Sequence, residues 1–321
     1  MNTPTPIDDS PWHAGEQALQ RSANVLERMD MIGRKVVRDY LLEQHQGFYP
    51  LLPFMVLGAV DGQGDVWASL RAGEPGFVQI EDARHLRLDL QTDPADPAQA
   101  GLTQGAALGL LGIDLLTRRR NRLNGRLQRV DQQGLLVTVE QSFGNCPQYI
   151  HQRQFAFARD PAGLGAGEVQ WLSELDAQAR RLISSAATLF VATYVDVPQG
   201  GRQVDVSHRG GKPGFVRLNA DGSLTVPDFM GNQFFNTLGN MQLNPRAGLL
   251  FIDFETGDML QMSGAARVDL DSPDIAAFAG AERLWHFIPQ RSVRRRDASP
   301  LRWIALPDGL SPSVGPTGSW A

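Results

Sequence analysis

The chain has 321 residues and a mass of 35.2 kDa, enough for two domains of ordinary size or one large one. With 42% hydrophobic and 20% charged residues it can bury a core, which excludes a chain disordered throughout. Thirty Lys+Arg against 35 Asp+Glu leave a net charge of −5, so there is no general attraction to nucleic acid or to an anionic membrane.

The opening stretch MNTPTPIDDSPWHAGEQ has no basic segment followed by an apolar run, so no secretory leader is expected. The longest apolar stretches, such as Leu51 to Val60, fall far short of the ~20 residues a membrane span needs. These features read as a soluble, cytoplasmic protein. From Glu16 to Gln44, Leu19, Leu26, Met29, Val36 and Leu41 recur at helical spacing, with Gly33 expected to split the region into two helices. Pro50 and Pro53 close it. FMVLGAVD (54–61), DVWASL, GFVQI and HLRLDL read as strands bounded by turn residues. QTDPADPAQAG (91–101) reads as a loop, and AALGLLGIDL (106–115), RRRNRLNGRLQRV (118–130) and GLLVTVEQ (134–141) as further strands. Ser173 is expected to open a short helix with Leu175, Leu182 and Ile183 on one face and Asp176 completing a weak capping box.

The second half then repeats the first. SLRAGEPGFV (69–78) matches SHRGGKPGFV (207–216) at 7 of 10 positions. FMVLGAVD (54–61) pairs with LFVATYVD (189–196), LGID (111–114) with LFID (250–253), and NGRLQRV (124–130) with SGAARV (263–268). Matches in the same order point to a duplicated unit of short strands with one or two helices, hence a small barrel. The expected fold is mainly β with flanking helices (α+β): a helical segment over 1–48, barrels over 49–165 and 170–300, and a tail over 301–321. The two barrels would pack as a pseudo-dimer, with a site between them. The copies differ after the Pro-Gly-Phe turn. Only the second has TVPDFMGNQFFNTLGNMQLNPRAG (225–248), a turn at Asp228–Asn232 leading into a helix with Phe235, Leu238 and Met241 on one face.

The chemistry-bearing residues gather in this second copy. Ser207, His208, Arg209 and Lys212 place hydroxyl and cationic donors at one turn, and Gly210 and Gly211 let backbone N–H groups approach an anion, as in a phosphate cradle. The same residues could simply form a hairpin whose Pro-Gly is turn chemistry. Gly231 and Asn232 open a helix, and helix N-termini bind phosphate through their free N–H groups. In RRRNRLNG, Arg118, Arg120 and Arg122 alternate onto one strand face, either solvated or facing an anion, with Arg119 and Asn121 on the other.

DVSHRGGKPGFVRL, LTVPDFMGNQFFNTLGNMQLNPRAGLLFIDF and DMLQMSGAARV together resemble the pyridoxamine 5′-phosphate oxidase-like superfamily of FMN-binding split barrels. The resemblance covers 183–296 well and 50–150 more weakly. SPWHAGEQ and QSFGNCPQYI (141–150) further resemble a subgroup in which a tandem split barrel precedes a flavin reductase and a ferredoxin domain. The resemblance implies FMN as cofactor. Its phosphate would sit on Ser207, Arg209 and Lys212, with Asn232 and Gln233 from the helix start and His208 and Gly231 beside them. The isoalloxazine would lie along Pro227, Asp228 and Phe229, and Arg120 and Arg122 would be supplied by the partner barrel. Phe229 and Phe234 stand where close relatives often carry Arg.

Cys146 excludes an internal disulfide and a cysteine-cluster metal site by being the one cysteine. It reads either as a packed residue beside a Pro turn or as a group on the substrate face of the flavin. His13, His45, His85, His151, His208 and His286 show no metal-binding spacing, and there is no P-loop or dinucleotide fingerprint. Arg294, Arg295 and Arg296 read as a solvated run or a docking patch for an acidic partner. The leading expectation is an FMN-dependent oxidoreductase acting on a small molecule, with electrons from a flavin reductase and ferredoxin. The alternatives are a non-catalytic flavin- or haem-binding module and an NAD(P)H-linked flavin reductase. No nucleic-acid or membrane partner is expected, and homodimerisation is left open.

Overall fold

The structure, a computed structural model, describes residues 10–131, 134–165, 167–198 and 200–320. Residues 1–9 of the opening stretch and residue 321 of the tail lie outside the described residues. Helices α1 (Ala14–Ser22), α2 (Leu26–Val36) and α3 (Glu43–Gln46) come first. The helical run does not break at Gly33. It breaks at Ala23–Val25, where Asn24 takes a left-handed φ of 57°, a conformation that ends a helix and that Asn tolerates. Gly33 lies inside α2 because the Trp12 indole sits against it, 2.6 Å from where a Cβ would be.

Strands β1 (Phe54–Val60), β2 (Val66–Ala72), β3 (Val78–Asp82), β4 (His85–Leu88), β5 (Ala107–Asp114), β6 (Arg119–Asp131) and β7 (Gly134–Gly144) form one antiparallel sheet, ordered β2-β1-β5-β6-β7-β4-β3. A connecting segment carries β8 (Arg153–Phe157), β9 (Val169–Leu172) and α4 (Ala177–Ser185). The second half contributes β10 (Thr188–Val197), β11 (Gly201–Gly210), β12 (Arg217–Leu218), β13 (Leu224–Phe229), α5 (Asn236–Leu243), β14 (Arg246–Ile252), β15 (Met259–Asp269), α6 (Asp274–Ala277) and β16 (Ala281–Arg295), followed by β17 (Leu301–Ala305). Its sheet is ordered β11-β10-β14-β15-β16-β13-β12.

The two orders are the same, strand for strand, and the register agrees. Leu57 faces Ser69 across β1 and β2, as Val191 faces Ser207 across β10 and β11. Leu111 faces Arg122 across β5 and β6, as Leu250 faces Gln261 across β14 and β15. The fold is therefore a tandem of two split barrels. The repeated Pro-Gly has a backbone reason: Gly76 and Gly214 both have left-handed φ, 103° and 80°, which a β-carbon would penalise.

Each barrel has its own apolar core, one around Trp67, Leu108 and Leu123, the other around Trp285, Phe251 and Leu249. A third core joins them, with Phe54, Val56 and Leu111 packed against Phe190, Val206 and Leu250. Val204 and Val206 crowd Gly58, and the Val204 carbonyl lies 2.6 Å from the Cβ position of Gly109, so β11 crosses the first sheet where only glycine fits. That crossing brings β6 of one barrel and β11 of the other to a common face.

Three local expectations change. Asp176 itself caps α4, accepting from the Ala179 N–H at 2.9 Å, so the helix starts three residues later than a Ser173 cap implies. Arg294 and Arg295 are buried and ion-paired with Asp176 and Asp93, and only Arg296 is exposed. The arginine run is an internal clamp because it ends β16 between the two barrels rather than in solvent. The 301–320 stretch folds back, with β17 pairing with β8 and the Trp320 indole donating to the Phe215 carbonyl at 2.8 Å.

Candidate functional site

A cleft lies between the barrels. β6 contributes Arg120 and Arg122, and the segment after β7 contributes Asn145, Gln148 and Tyr149. The second barrel supplies the end of β11, the end of β13, the loop into α5, and Glu282 and Arg283 of β16. Ser207, His208, Arg209, Pro227, Asp228, Phe229, Gly231, Asn232 and Gln233 all line it. Lys212 does not. It lies beyond the strand end, and its Nζ donates to the Thr317 carbonyl, which ties the hairpin turn to the C-terminal stretch.

The cationic residues divide into posts and free groups. Arg122 donates to Asp205 at 3.0 Å and also to the Ser207 hydroxyl. Asp205 is fully engaged, accepting from Asn124 at 2.8 Å and Asn240 at 2.9 Å as well. Ser207 also receives the Thr237 hydroxyl at 2.8 Å. Arg122 and Ser207 thus fix the wall rather than offer a free charge. Arg118 does not share their face. The strand begins only at Arg119, Arg118 has φ 60°, and its guanidinium donates to the Ile150 carbonyl at 3.0 Å. Arg119 points outward, stacked over Phe48 at 4.5 Å.

Arg120 and Arg209 remain, with Arg283, which also donates to Glu282. The Nε of each is buried without a hydrogen-bond partner, as are Arg122 Nε, Asn145 Nδ2 and His208 Nε2, but Arg122, unlike Arg120 and Arg209, has a carboxylate at 3.0 Å. Asp228 sits between Arg209 and Arg283, but at 3.6 Å from each. That is too long for the short charge-assisted bond that offsets desolvation. Burial accordingly raises Asp228 above the usual carboxylate range and lowers Arg209. Burial, and then the charge of Arg209 beside it, pushes Arg120 down to about 9. His208 is not the cationic donor its sequence position suggests. Burial, with Arg120 next, holds it well below its ordinary value. Its Nδ1 accepts from Arg120 at 3.4 Å, so the neutral ring carries its proton on the unpartnered Nε2.

The loop into α5 is built under strain. Gln233 and Phe235 both have left-handed φ, 62° and 64°, as does Tyr149 across the cleft at 64°. Such conformations cost of order 1–3 kcal/mol each and persist where packing dictates them. Phe235 is the N-cap of α5 and offers it no side-chain bond, so the helix start faces the cleft with its own N–H groups. Phe229 stacks on Tyr149 with ring centroids 5.2 Å apart, and the Tyr149 hydroxyl donates to the Met230 carbonyl at 3.0 Å. Phe234 turns away to pack on Trp12 and Phe143. Cys146 is half-buried beside this stretch. Asn145, Gln148 and Tyr149 fall inside the QSFGNCPQYI segment, in which the sequence singles out only Cys146. Nothing in the sequence marked Arg283, which enters because β16 pairs Arg283 with Asp228.

The first barrel's counterpart is filled from within. Ser69 and Arg71 correspond to Ser207 and Arg209, and Gln261 to Arg122. There the loop after β4 inserts Asp93 and Asp96. Asp96 is bonded to Arg71 at 3.0 Å, to Ser69 and to Gln261, and Arg295 binds Asp93.

Among the described residues no group of three or more His, Cys, Asp or Glu is placed to hold a metal ion, and no helix is long and apolar enough to cross a membrane. No family model and no curated protein matches the chain. Solved structures with a detectable likeness include HupZ of Group A Streptococcus, 14% identical over 42% of this chain and 98% of that one, with a TM-score of 0.29. Another is an FAD-binding protein of Mycobacterium smegmatis, 16% identical over 40% of this chain and 98% of that one, TM-score 0.26. A third, from Clostridium acetobutylicum, is related to general stress protein 26 in the pyridoxinephosphate oxidase family: 13% identity, 40% and 92% coverage, TM-score 0.26. The fold stands on the strand order and register above.

Proposed function

We propose that the cleft binds FMN and that the protein is an FMN-dependent oxidoreductase. The observation that carries this reading is the set of buried, unpartnered nitrogens on Arg120, Arg209 and His208 beside an uncapped helix start. Buried donors without partners are costly, and a phosphate supplies the missing acceptors and the missing charge together. Arg120, Arg209 and the first N–H groups of α5 would hold the phosphate. Pro227, Asp228 and the Phe229–Tyr149 stack would flank the ring system, and Met230 and Tyr149 would form the mouth.

A bound flavin supplies hydride and single-electron transfer. The chain's own part is to bind and orient the flavin and to limit water. Asp228, raised by burial, would hold a proton beside the ring, with Arg283 3.6 Å away. The open mouth admits a small-molecule substrate, and a separate flavin reductase and ferredoxin would deliver electrons. The test is the absorbance spectrum of the purified chain and its titration with FMN. Bands near those of free flavin and saturation at one equivalent support the reading. A haem spectrum, or no FMN binding, overturns it.

A further inference from the structure

We propose that Glu16, carried on a helix outside both barrels, is a positioning residue for the anion end of the cleft: it fixes Asn236, the first residue of α5, and with it the start of that helix. The proposal rests on the flavin-phosphate reading above.

The contact between α1 and α5 is built for closeness. A Cβ on Gly15 would lie 2.1 Å from the Gly239 carbonyl oxygen, and one on Gly239 would lie 2.7 Å from the Glu16 nitrogen. Only glycine at both positions lets the helices approach this far. The approach places the Glu16 carboxyl, 4% exposed, directly on the Asn236 side-chain amide, which donates to it. The other carboxyl oxygen accepts from the His13 N–H at 2.9 Å, closing a capping box at the start of α1. Neighbouring α1–α2 groups grip the loop just before α5: Gln20 reaches the Phe234 carbonyl at 3.4 Å and Arg28 donates to Gln233. The loop held in this way is the one with left-handed residues at Gln233 and Phe235.

The charges facing Glu16 come from several elements. On α1, His13 Nδ1 accepts from the Gly15 N–H at 3.2 Å while Nε2 lies 2.8 Å from Asn240 Oδ1. The ring is therefore neutral, and burial lowers it further from protonation. β11 presents Asp205 and β6 presents Arg122, which are paired with each other, and α5 presents only the amides of Asn236 and Asn240. Burial, reinforced by Asp205, raises Glu16 to about 8. Burial therefore favours its uncharged form. Ionised, it would add a second carboxylate beside Asp205 and a negative charge behind the helix start that awaits an anion.

The sign follows. A phosphate at the start of α5 raises the proton affinity of Glu16 further, so binding takes up a proton above about pH 8. Affinity then falls as pH rises, by up to about tenfold per unit. Gln keeps the acceptor for Asn236 and cannot ionise, though its amide NH2 replaces the oxygen that accepts from the His13 N–H.

The experiment titrates the full-length chain with FMN and with riboflavin between about pH 7 and pH 9, for the wild type, Glu16→Gln and Glu16→Ala. Burial lowers Arg120 in all three alike, so the comparison is the difference between them at each pH. Glu16→Gln is expected to match wild type near neutrality and to lose little FMN affinity by pH 9, where wild type has weakened by roughly tenfold. Glu16→Ala is expected to bind FMN roughly tenfold more weakly at neutral pH, with riboflavin little changed. If wild type prefers FMN and Glu16→Gln shares its pH profile, this proposal alone falls. If wild type binds FMN and riboflavin equally at every pH, the phosphate reading falls and takes the proposal with it.

Discussion

Arg120 is the sharpest test that the two barrels build one site, because it is the free cation contributed by the first. Its side chain is buried against Arg209 with an unpartnered Nε and a proton affinity already depressed to about 9. In the empty cleft this guanidinium costs stability, and with a phosphate bound it gains a charge-assisted partner. A hydrogen bond to a charged group contributes about 1.5–3 kcal/mol, so Arg120→Ala should weaken FMN binding by roughly 10- to 100-fold. The apo protein should be stabilised, or at least not destabilised, because removing Arg120 relieves the like-charge contact with Arg209.

The assay is a flavin-fluorescence titration at low and high salt, alongside thermal unfolding of the apo chain. Riboflavin, which lacks the phosphate, serves as the ligand control. Arg119→Ala serves as the protein control, since Arg119 lies on the opposite strand face over Phe48. Equal losses for Arg119→Ala and Arg120→Ala, or equal losses for FMN and riboflavin, would refute the reasoning.

Lys212→Ala should leave FMN affinity within about twofold, because a loss of contact with the Thr317 carbonyl is a surface effect; a titration against wild type checks it. FMN should saturate at one equivalent per chain, and two equal sites by equilibrium dialysis would contradict the filled state of the first barrel's counterpart. Gly239→Ala should destabilise the chain by about 1–3 kcal/mol, since its Cβ would overlap the Glu16 backbone; denaturant unfolding measures this.

What was legible in the sequence followed from local chemistry. The Pro-Gly turn repeated because each copy needs a left-handed residue at Gly76 and Gly214, so the duplication showed as a text match. The cleft residues of the second copy cluster within two short segments, and the turn and helix signals located both. Arg283 and Asp205 were not legible, since Arg283 reaches the cleft through strand pairing and Asp205 meets Arg122 behind its wall through barrel packing. Arg122 was seen but its role was not, because the carboxylate that claims it lies 83 residues away. Lys212 shows the opposite error. Its place in the motif suggested a ligand, while a partner in the C-terminal stretch, distant in sequence, draws it away.

The two halves also show what a buried guanidinium requires. Both cradles place Ser and Arg at the same register, and desolvation of such an arginine has to be met by an anion close at hand. In the first barrel the chain supplies it: Asp96 lies 3.0 Å from Arg71, and Asp93 binds Arg295. Burial raises Asp96, but Arg71, Arg295, Ser69 and Gln261 together outweigh it and leave the carboxyl below its ordinary value. In the second barrel the corresponding loop carries no inserted carboxylate. Asp228 stands off at 3.6 Å, shared between Arg209 and Arg283, and burial wins, raising it. Arg71 therefore has a carboxylate at hydrogen-bond distance and Arg209 does not, although the Nε of each is buried without a partner. A chain under pressure only for stability would close both in the same way, so the open cradle is the one to expect a ligand in.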